Sequence, residues 1–341
     1  MINKFAVSIL LVSGLCATAN AEQAYLAPLV KESMLLDVAH ADKTIVVGER
    51  GHILVGDSEQ LSQVNVPSTV TLTAVDGIGN TYLAVGHDAT ILRSSDAGAS
   101  WEEVFSAVEL DRPFLDVIFL DQNEAIAIGG YGLFYRSTDA GLSWTQEQQV
   151  SLLSDDDNEY LESIADDPEF LAEELNYIFP HFNRLSKAGD TLYLVGEAGL
   201  VAKSSDRGRS WERFDIDYAG SFFDVQRLST GAELAVGLRG NMFIQNDDQQ
   251  WLSLTTCVTT SLNSIVNTDV GLFVVGNNGV VLALEPEVLL SEQYQSPNSE
   301  GCARHAGLTQ VDSDISSSIS NAFLSGNVLT AVSANGLQPV E

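Results

Sequence analysis

One short pattern recurs along the chain and limits what it can fold into. It consists of two apolar residues, a glycine, two variable residues, usually a second glycine, and then alternating apolar positions. It reads VVGERGHIL at Val46–Leu54, AVGHDATIL at Ala84–Leu92, AIGGYGLFY at Ala127–Tyr135, LVGEAGLVA at Leu194–Ala202, AVGLRGNMF at Ala235–Phe243 and VVGNNGVVL at Val274–Leu282. A degenerate AVSANGL closes the series at Ala331–Leu337. Each copy predicts a strand, a tight turn and a second strand.

Upstream of every turn lies an apolar segment with a small or polar centre: Asp37, Ala74, Asp116, Arg184, Asp224, Ser264 and Ala322. The turn follows that centre after 11, 12, 13, 12, 13, 12 and 11 positions. So constant an offset predicts seven equivalent units, not the two domains that 341 residues would ordinarily permit.

Three turns are followed by a further element: SSDAGASW at Ser94–Trp101, STDAGLSW at Ser137–Trp144 and SSDRGRSW at Ser204–Trp211, with a worn QNDDQQW at Gln245–Trp251. Aspartate bonds the amides that follow it, glycine takes positive φ, and tryptophan packs between sheets. The element resembles the Asp box, or BNR repeat, of sialidases, sortilin-type receptors and other β-propellers. The resemblance implies a structural hairpin at Asp96, Asp139 and Asp206, with Trp101, Trp144 and Trp211 as packing residues. Four strands per unit and seven units predict an all-β chain, a seven-bladed β-propeller of four-stranded blades. The last unit ends one strand short after Leu337–Val340, and Tyr25–Val30 belongs to no unit. An N-terminal strand is therefore expected to close the ring and cover its edge.

The glycine-to-glycine intervals run 38, 43, 67, 41 and 39 from Gly48 to Gly276, then 57 to Ser333. The excess marks two insertions, 151–180 and 285–318, both read as connections between blades on one working face. The first separates blades 3 and 4 and carries ten acids and no base. Within it Asp167-Pro168-Glu169 predicts a helix start, and Phe170, Leu171, Leu175, Ile178 and Phe179 form one apolar stripe. This helical acidic insertion reads either as a cap on the rim or as a docking arm for a basic partner. Asp155-Asp156-Asp157 lacks the glycine and spacing of a calcium loop, so no metal is expected, and nothing in the chain calls for a cofactor.

Composition sets the boundary on partners. Sixteen Lys+Arg face 47 Asp+Glu, a formal charge of −31, so nucleic acid is not an expected partner. Lys4, the apolar run Phe5–Leu15 and Ala19-Asn20-Ala21 read as a signal peptide over residues 1–21. A lipoprotein signal at Cys16 is the rival, and Leu15 before it fits poorly. The expectation is an exported protein, periplasmic or secreted, with no direct membrane span, and a monomer. Export leaves Cys257 and Cys302 as an even pair in an oxidising compartment, which predicts a disulfide.

Period-two alternation points Asp37, Asp116, Arg184 and Asp224 at a central channel. The glycine turns offer Arg50, His87, Tyr131, Glu197, Arg239 and Asn277 on one face. The whole repeat, an apolar-Asp-Val segment, then VGxxG, then (S/T)xDxGxSW, resembles the family of photosystem II assembly and stability factors. That resemblance implies a non-enzymatic interaction or assembly scaffold binding a membrane-associated or periplasmic protein. The alternatives are an Asp-box glycoside hydrolase of the sialidase type, using channel carboxylates, and a propeller that binds a sugar or small ligand in the funnel. Sialidase chemistry wants three convergent arginines, and no matching arginine recurs in successive units.

Overall fold

Seven antiparallel sheets succeed one another along the chain, each with its strands in sequence order. The computed structural model describes residues 25–340, so the signal-peptide reading lies outside the described residues. The innermost strands are Leu35–His40, Leu72–Ile78, Phe114–Phe119, Phe182–Ala188, Phe222–Arg227, Leu262–Thr268 and Ile319–Ser325. Successive innermost strands lie side by side, and the seventh meets the first, giving a seven-bladed propeller. Apolar residues of adjoining blades form the cores between them. Ile45, Val47, Leu72, Val75, Tyr82 and Trp101 join blades 1 and 2, and Leu35, Val46, Phe323 and Val332 join blades 7 and 1.

Every innermost strand carries a bulge two residues after its first paired position. This bulge explains the first glycine of the repeat. A Cβ on Gly48 would meet the Met34 carbonyl oxygen, and one on Gly129 the Pro113 oxygen, each at 2.2 Å. The amide of the next residue donates to that same carbonyl, Glu49 N to Met34 O at 3.0 Å and Gly130 N to Pro113 O at 3.0 Å. Arg50, Tyr131, Arg239 and Asn278 then turn the chain at positive φ.

Six blades have four strands, and among the described residues the seventh has three, ending with Gly336–Pro339. The expected N-terminal strand is absent, which corrects the closure drawn from the sequence. Gln63 holds the segment instead: its Nε2 donates to Tyr25 O at 2.9 Å, and its Oε1 accepts from Ala27 N at 2.8 Å. Pro28 has no amide to offer a ladder, and Val30–Glu32 turns as a 3₁₀ segment beside Gly336. Residues 25–32 thus cross the seam as a turn, with Val30 buried against Leu35 and Val332.

The first insertion does fold onto the turn face. Asp167 caps Pro168–Glu174 through Phe170 N, as its sequence predicts. A second helix, Asp155–Ser163, precedes it with a reciprocal Ser154/Asp157 capping box. Phe179 is buried against Gly132 of the blade 3 turn, with Leu171, Leu175 and Ile178 packed behind it. Phe170 departs from the expected stripe and is exposed. The second insertion is corrected in place. Blade 6 finds its outer strand at Leu308–Gln310, inside residues 285–318. The extra chain therefore leaves from the end of the third strand remote from the glycine turn. The Cys257–Cys302 disulfide ties it to the connection entering blade 6.

His52 shows what the turn region does not need. It is 2% exposed, and neither ring nitrogen has a partner. Blades 3 and 4 place buried Leu133 and Leu200 at the same position after the second glycine. His52→Leu is expected to raise unfolding stability by about 1–3 kcal/mol, the cost of an unsatisfied buried polar group. Burial also lowers the His52 pKa, so its neutral form is the folded one. The histidine's penalty then grows as pH falls below about 6.5, the unfolded imidazole value, and the gap between variant and wild type widens. Urea unfolding at pH 8 and pH 5 measures both, and a variant no more stable at either pH refutes the assignment.

Candidate functional site

The residue two positions into each innermost strand forms a ring around the channel: Asp37, Ala74, Asp116, Arg184, Asp224, Ser264 and Asn321. In blade 7 the register selects Asn321, one residue before the Ala322 that spacing suggested. Asp37, Asp116 and Asp224 are buried, at 3–4% exposure. Each carboxylate reaches across a blade junction and accepts an amide freed by the next blade's bulge. Val75 N donates to Asp37 at 3.0 Å, Leu185 N to Asp116 at 2.6 Å and Ile265 N to Asp224 at 2.7 Å.

The intervening junctions use the preceding position. Thr73 Oγ1 donates to Phe114 O at 2.8 Å, Asn183 Nδ2 to Phe222 O at 2.8 Å and Asn263 Nδ2 to Ile319 O at 2.8 Å. Leu36, Leu115 and Phe223 fill that position in blades 1, 3 and 5. At the seam Ser320 Oγ donates to Leu35 O at 3.2 Å, and Asn321 Nδ2 donates to Asp37 at 2.7 Å. At these two positions, carboxylate and hydroxyl or amide clamps therefore alternate from blade to blade. Sequence reasoning singled out the aspartates and missed Thr73, Asn183, Asn263 and Ser320. The available signal was their polarity at a position that is apolar in every second unit.

Arg184 is the single cation of the ring. Its guanidinium lies 3.5 Å from Asp37 and 3.4 Å from Asp116. Burial opposes its charge, but Asp37, Asp116 and Asp224 overcome that and raise its pKa. Burial pushes Asp116 up to about 7, with Arg184 pulling the other way. It pushes Asp76, which accepts from Phe119 N, up to about 6. Asp224 is raised by the same desolvation. These residues, with His40, Gln226 and Asn267, line a cavity of about 340 Å³ in the channel.

The turn residues belong elsewhere. Arg50, His87, Tyr131 and Arg239 are exposed, Glu197 and Asn277 half-buried, and none of the six lines the channel cavity. The ten sequence candidates thus separate into a buried ring and a surface. On that surface one cluster stands out. The Arg112 guanidinium sits 5.2 Å from the rings of both Tyr131 and Tyr177. His181 meets Tyr131 edge-on at 4.5 Å and lies 3.7 Å from Glu197. Tyr131 and Tyr177 are 47% and 65% exposed, so two aromatic faces are held out beside the acidic insertion.

The Ser-x-Asp-x-Gly-x-Ser-Trp hairpins lie at the opposite ends of the blades and are occupied with their own turns. Asp96 accepts from Ser94 Oγ at 2.8 Å, Ser100 N at 2.9 Å and Ser100 Oγ at 2.6 Å. Asp139 and Asp206 repeat the set. The hydroxyl of Ser210 leads the contacts that lower Asp206 to about 2, and Ser100 and Ser143 act likewise on Asp96 and Asp139. Trp101 and Trp144 donate to Gly98 O and Gly141 O of the same turns. Among the described residues no group of three metal-type ligands converges.

No family model and no curated protein matches the chain. Solved structures do. YCF48 bound to D1 peptide aligns at 15% identity and a TM-score of 0.62, covering 94% of this chain and 96% of that one. YCF48 from Cyanidioschyzon merolae aligns at 14% and 0.62, covering 93% and 96%. An ancestral GH74 enzyme aligns at 13% and 0.59, covering 92% of this chain and 45% of that one. Identities this low carry the fold alone, so what the comparisons establish for this chain is a β-propeller.

Proposed function

We propose that this protein is an exported, non-enzymatic interaction scaffold that docks a basic segment of a periplasmic or membrane-associated protein on its glycine-turn face. The observation that carries the reading is the first insertion. Its ten acids stand on a segment pinned to blade 3 by Phe179 and to blade 4 by the Arg213 bond to Leu152 O at 2.7 Å. Asp156, Glu159, Glu162, Asp166, Glu169 and Glu173 are exposed, and Tyr131 and Tyr177 offer rigid aromatic contacts nearby. A fixed acidic surface flanked by tyrosines suits a cationic peptide, because steering comes from charge and grip from aromatic area.

Two further observations support it. The channel carboxylates are committed to blade-to-blade amides, which leaves them poorly placed for hydrolysis. YCF48, which shares the fold, is described in complex with D1 peptide, so a propeller of this shape does take a peptide ligand. Among the described residues no helix is long and apolar enough to cross a membrane.

The test is capture from a periplasmic and membrane extract. Changing these six of the exposed acids to Asn or Gln is expected to cut partner recovery about tenfold at low salt, with the melting temperature unchanged. Tyr177→Ala is expected to weaken it independently of salt. Undiminished recovery by both variants would overturn the docking reading.

A further inference from the structure

At three junctions the hairpin after the third strand plugs the gap to the preceding blade. A Cβ on Gly98 of blade 2 would lie 2.6 Å from Ile45 of blade 1, and one on Gly141 of blade 3 would lie 2.5 Å from Leu83 of blade 2. One on Gly208 of blade 4 would lie 3.1 Å from Ile126 of blade 3. At two of them a cation on the preceding third strand locks the plug, while Val55 holds that place in blade 1. Arg93 Nε donates to Ala140 O at 2.8 Å, and Arg136 donates to Arg207 O at 2.9 Å and Gly208 O at 3.0 Å.

Blade 5 cannot repeat this. Its Gln245–Trp251 segment has neither the glycine nor the serines. It closes instead as a tight hairpin, Asn246 N donating to Gln250 O at 2.9 Å, with Gln249 alone at positive φ. Lys203 occupies the place of Arg93 and Arg136. It turns to Glu212 at 3.4 Å and to the Phe214 ring at 5.2 Å. The junction between blades 4 and 5 stays open as a crevice of about 730 Å³.

We infer that this crevice is a binding site for a neutral polyhydroxylated ligand, a mono- or disaccharide. Its walls carry Ser205, Gln245 and Asn246, groups that donate and accept as sugar hydroxyls do, beside the Ser204 and Ser210 hydroxyls held by Asp206. Lys203 pairs with Glu212 and Arg227 with Glu233 at 3.9 Å, and Asp247 leaves the lining one negative charge in excess. A phosphate or carboxylate therefore gains no net attraction there. Glu233 and Gln245 are more than nine-tenths buried, and Glu233 is fixed by the Tyr193 hydroxyl at 2.9 Å. The polar wall is thus pre-formed, as a specific small-ligand site requires. The crevice opens at the blade ends remote from the glycine turns, so it stands apart from the protein-docking face.

Calorimetric titration of the full chain with glucose, galactose, mannose, N-acetylglucosamine, maltose and cellobiose is the test. At least one is expected to bind saturably below about 1 mM. Gln245→Ala and the crevice-filling Ser205→Trp are each expected to weaken that binding tenfold or more without lowering the melting temperature. No saturable binding across the six sugars overturns the inference, and so does binding that survives both substitutions. Neither result bears on partner capture by the acidic face.

Discussion

Asp116→Ala is expected to remove about 1–3 kcal/mol of unfolding stability, because it leaves the buried Leu185 amide unpaired and takes one of two close carboxylates from Arg184. Asp116→Asn separates the two losses. The amide oxygen still accepts from Leu185, so this variant loses only the charge that faces Arg184. Asp116 is held near 7 by burial, well above an unfolded aspartate. A raised carboxyl pKa contributes stability that is full at low pH, declines above about pH 4 and is gone once pH passes the folded value. The wild type is therefore expected to lose stability from pH 4 to 7, and Asp116→Asn to flatten that slope. Chemical denaturation at half-unit pH steps decides it. An Asp116→Ala loss below about 1 kcal/mol would show that the carboxylate does not clamp blade 3 to blade 4.

The second large effect belongs to the disulfide. Cys257 and Cys302 close a loop of 45 positions that includes most of blade 6. Their replacement by alanine is expected to cost about 4 kcal/mol in the chain-entropy account of a loop this long. The loss should concentrate in blade 6 and residues 285–307, where hydrogen exchange after reduction is expected to quicken before the rest of the ring responds. A double variant within about 1 kcal/mol of wild type, with unchanged exchange there, would show that Arg304 bonding Thr256 O and His305 bonding Thr255 O hold the arm unaided.

The ring was legible because its constraint is local. Gly48 and its equivalents mark where a bulge carbonyl approaches, and a residue with that steric demand repeats wherever the geometry repeats. The disulfide was legible from the two cysteines that lie beyond the segment read as a signal peptide. Three things were less so. Tyr25–Val30 has strand-like apolar content, yet one glutamine side chain and a proline divert it. The outer strand Leu308–Gln310 is three residues long and hides inside an insertion, because outer strands carry little burial and hence little pattern. The ring was read as a candidate site because buried carboxylates in a channel look functional. Their amide partners lie 38 to 69 positions away, beyond any local pattern. The helix Asp155–Ser163 did leave a mark, Ser154 three residues before Asp157, amid a run of acids that drew attention to ions instead.

The alternating clamp also has a parity. At the two bulge positions, carboxylates tie blades 1, 3 and 5 to their successors, and hydroxyls or amides tie blades 2, 4 and 6. A two-state alternation cannot be completed around an odd-numbered circle, so two unlike rules must collide once. They collide between blades 7 and 1, where Ser320 and Asn321 both reach across. The unit that can be copied without conflict is consequently a pair of blades. Gaining or losing two would keep the single seam, whereas gaining or losing one would make the count even and let the alternation close without one.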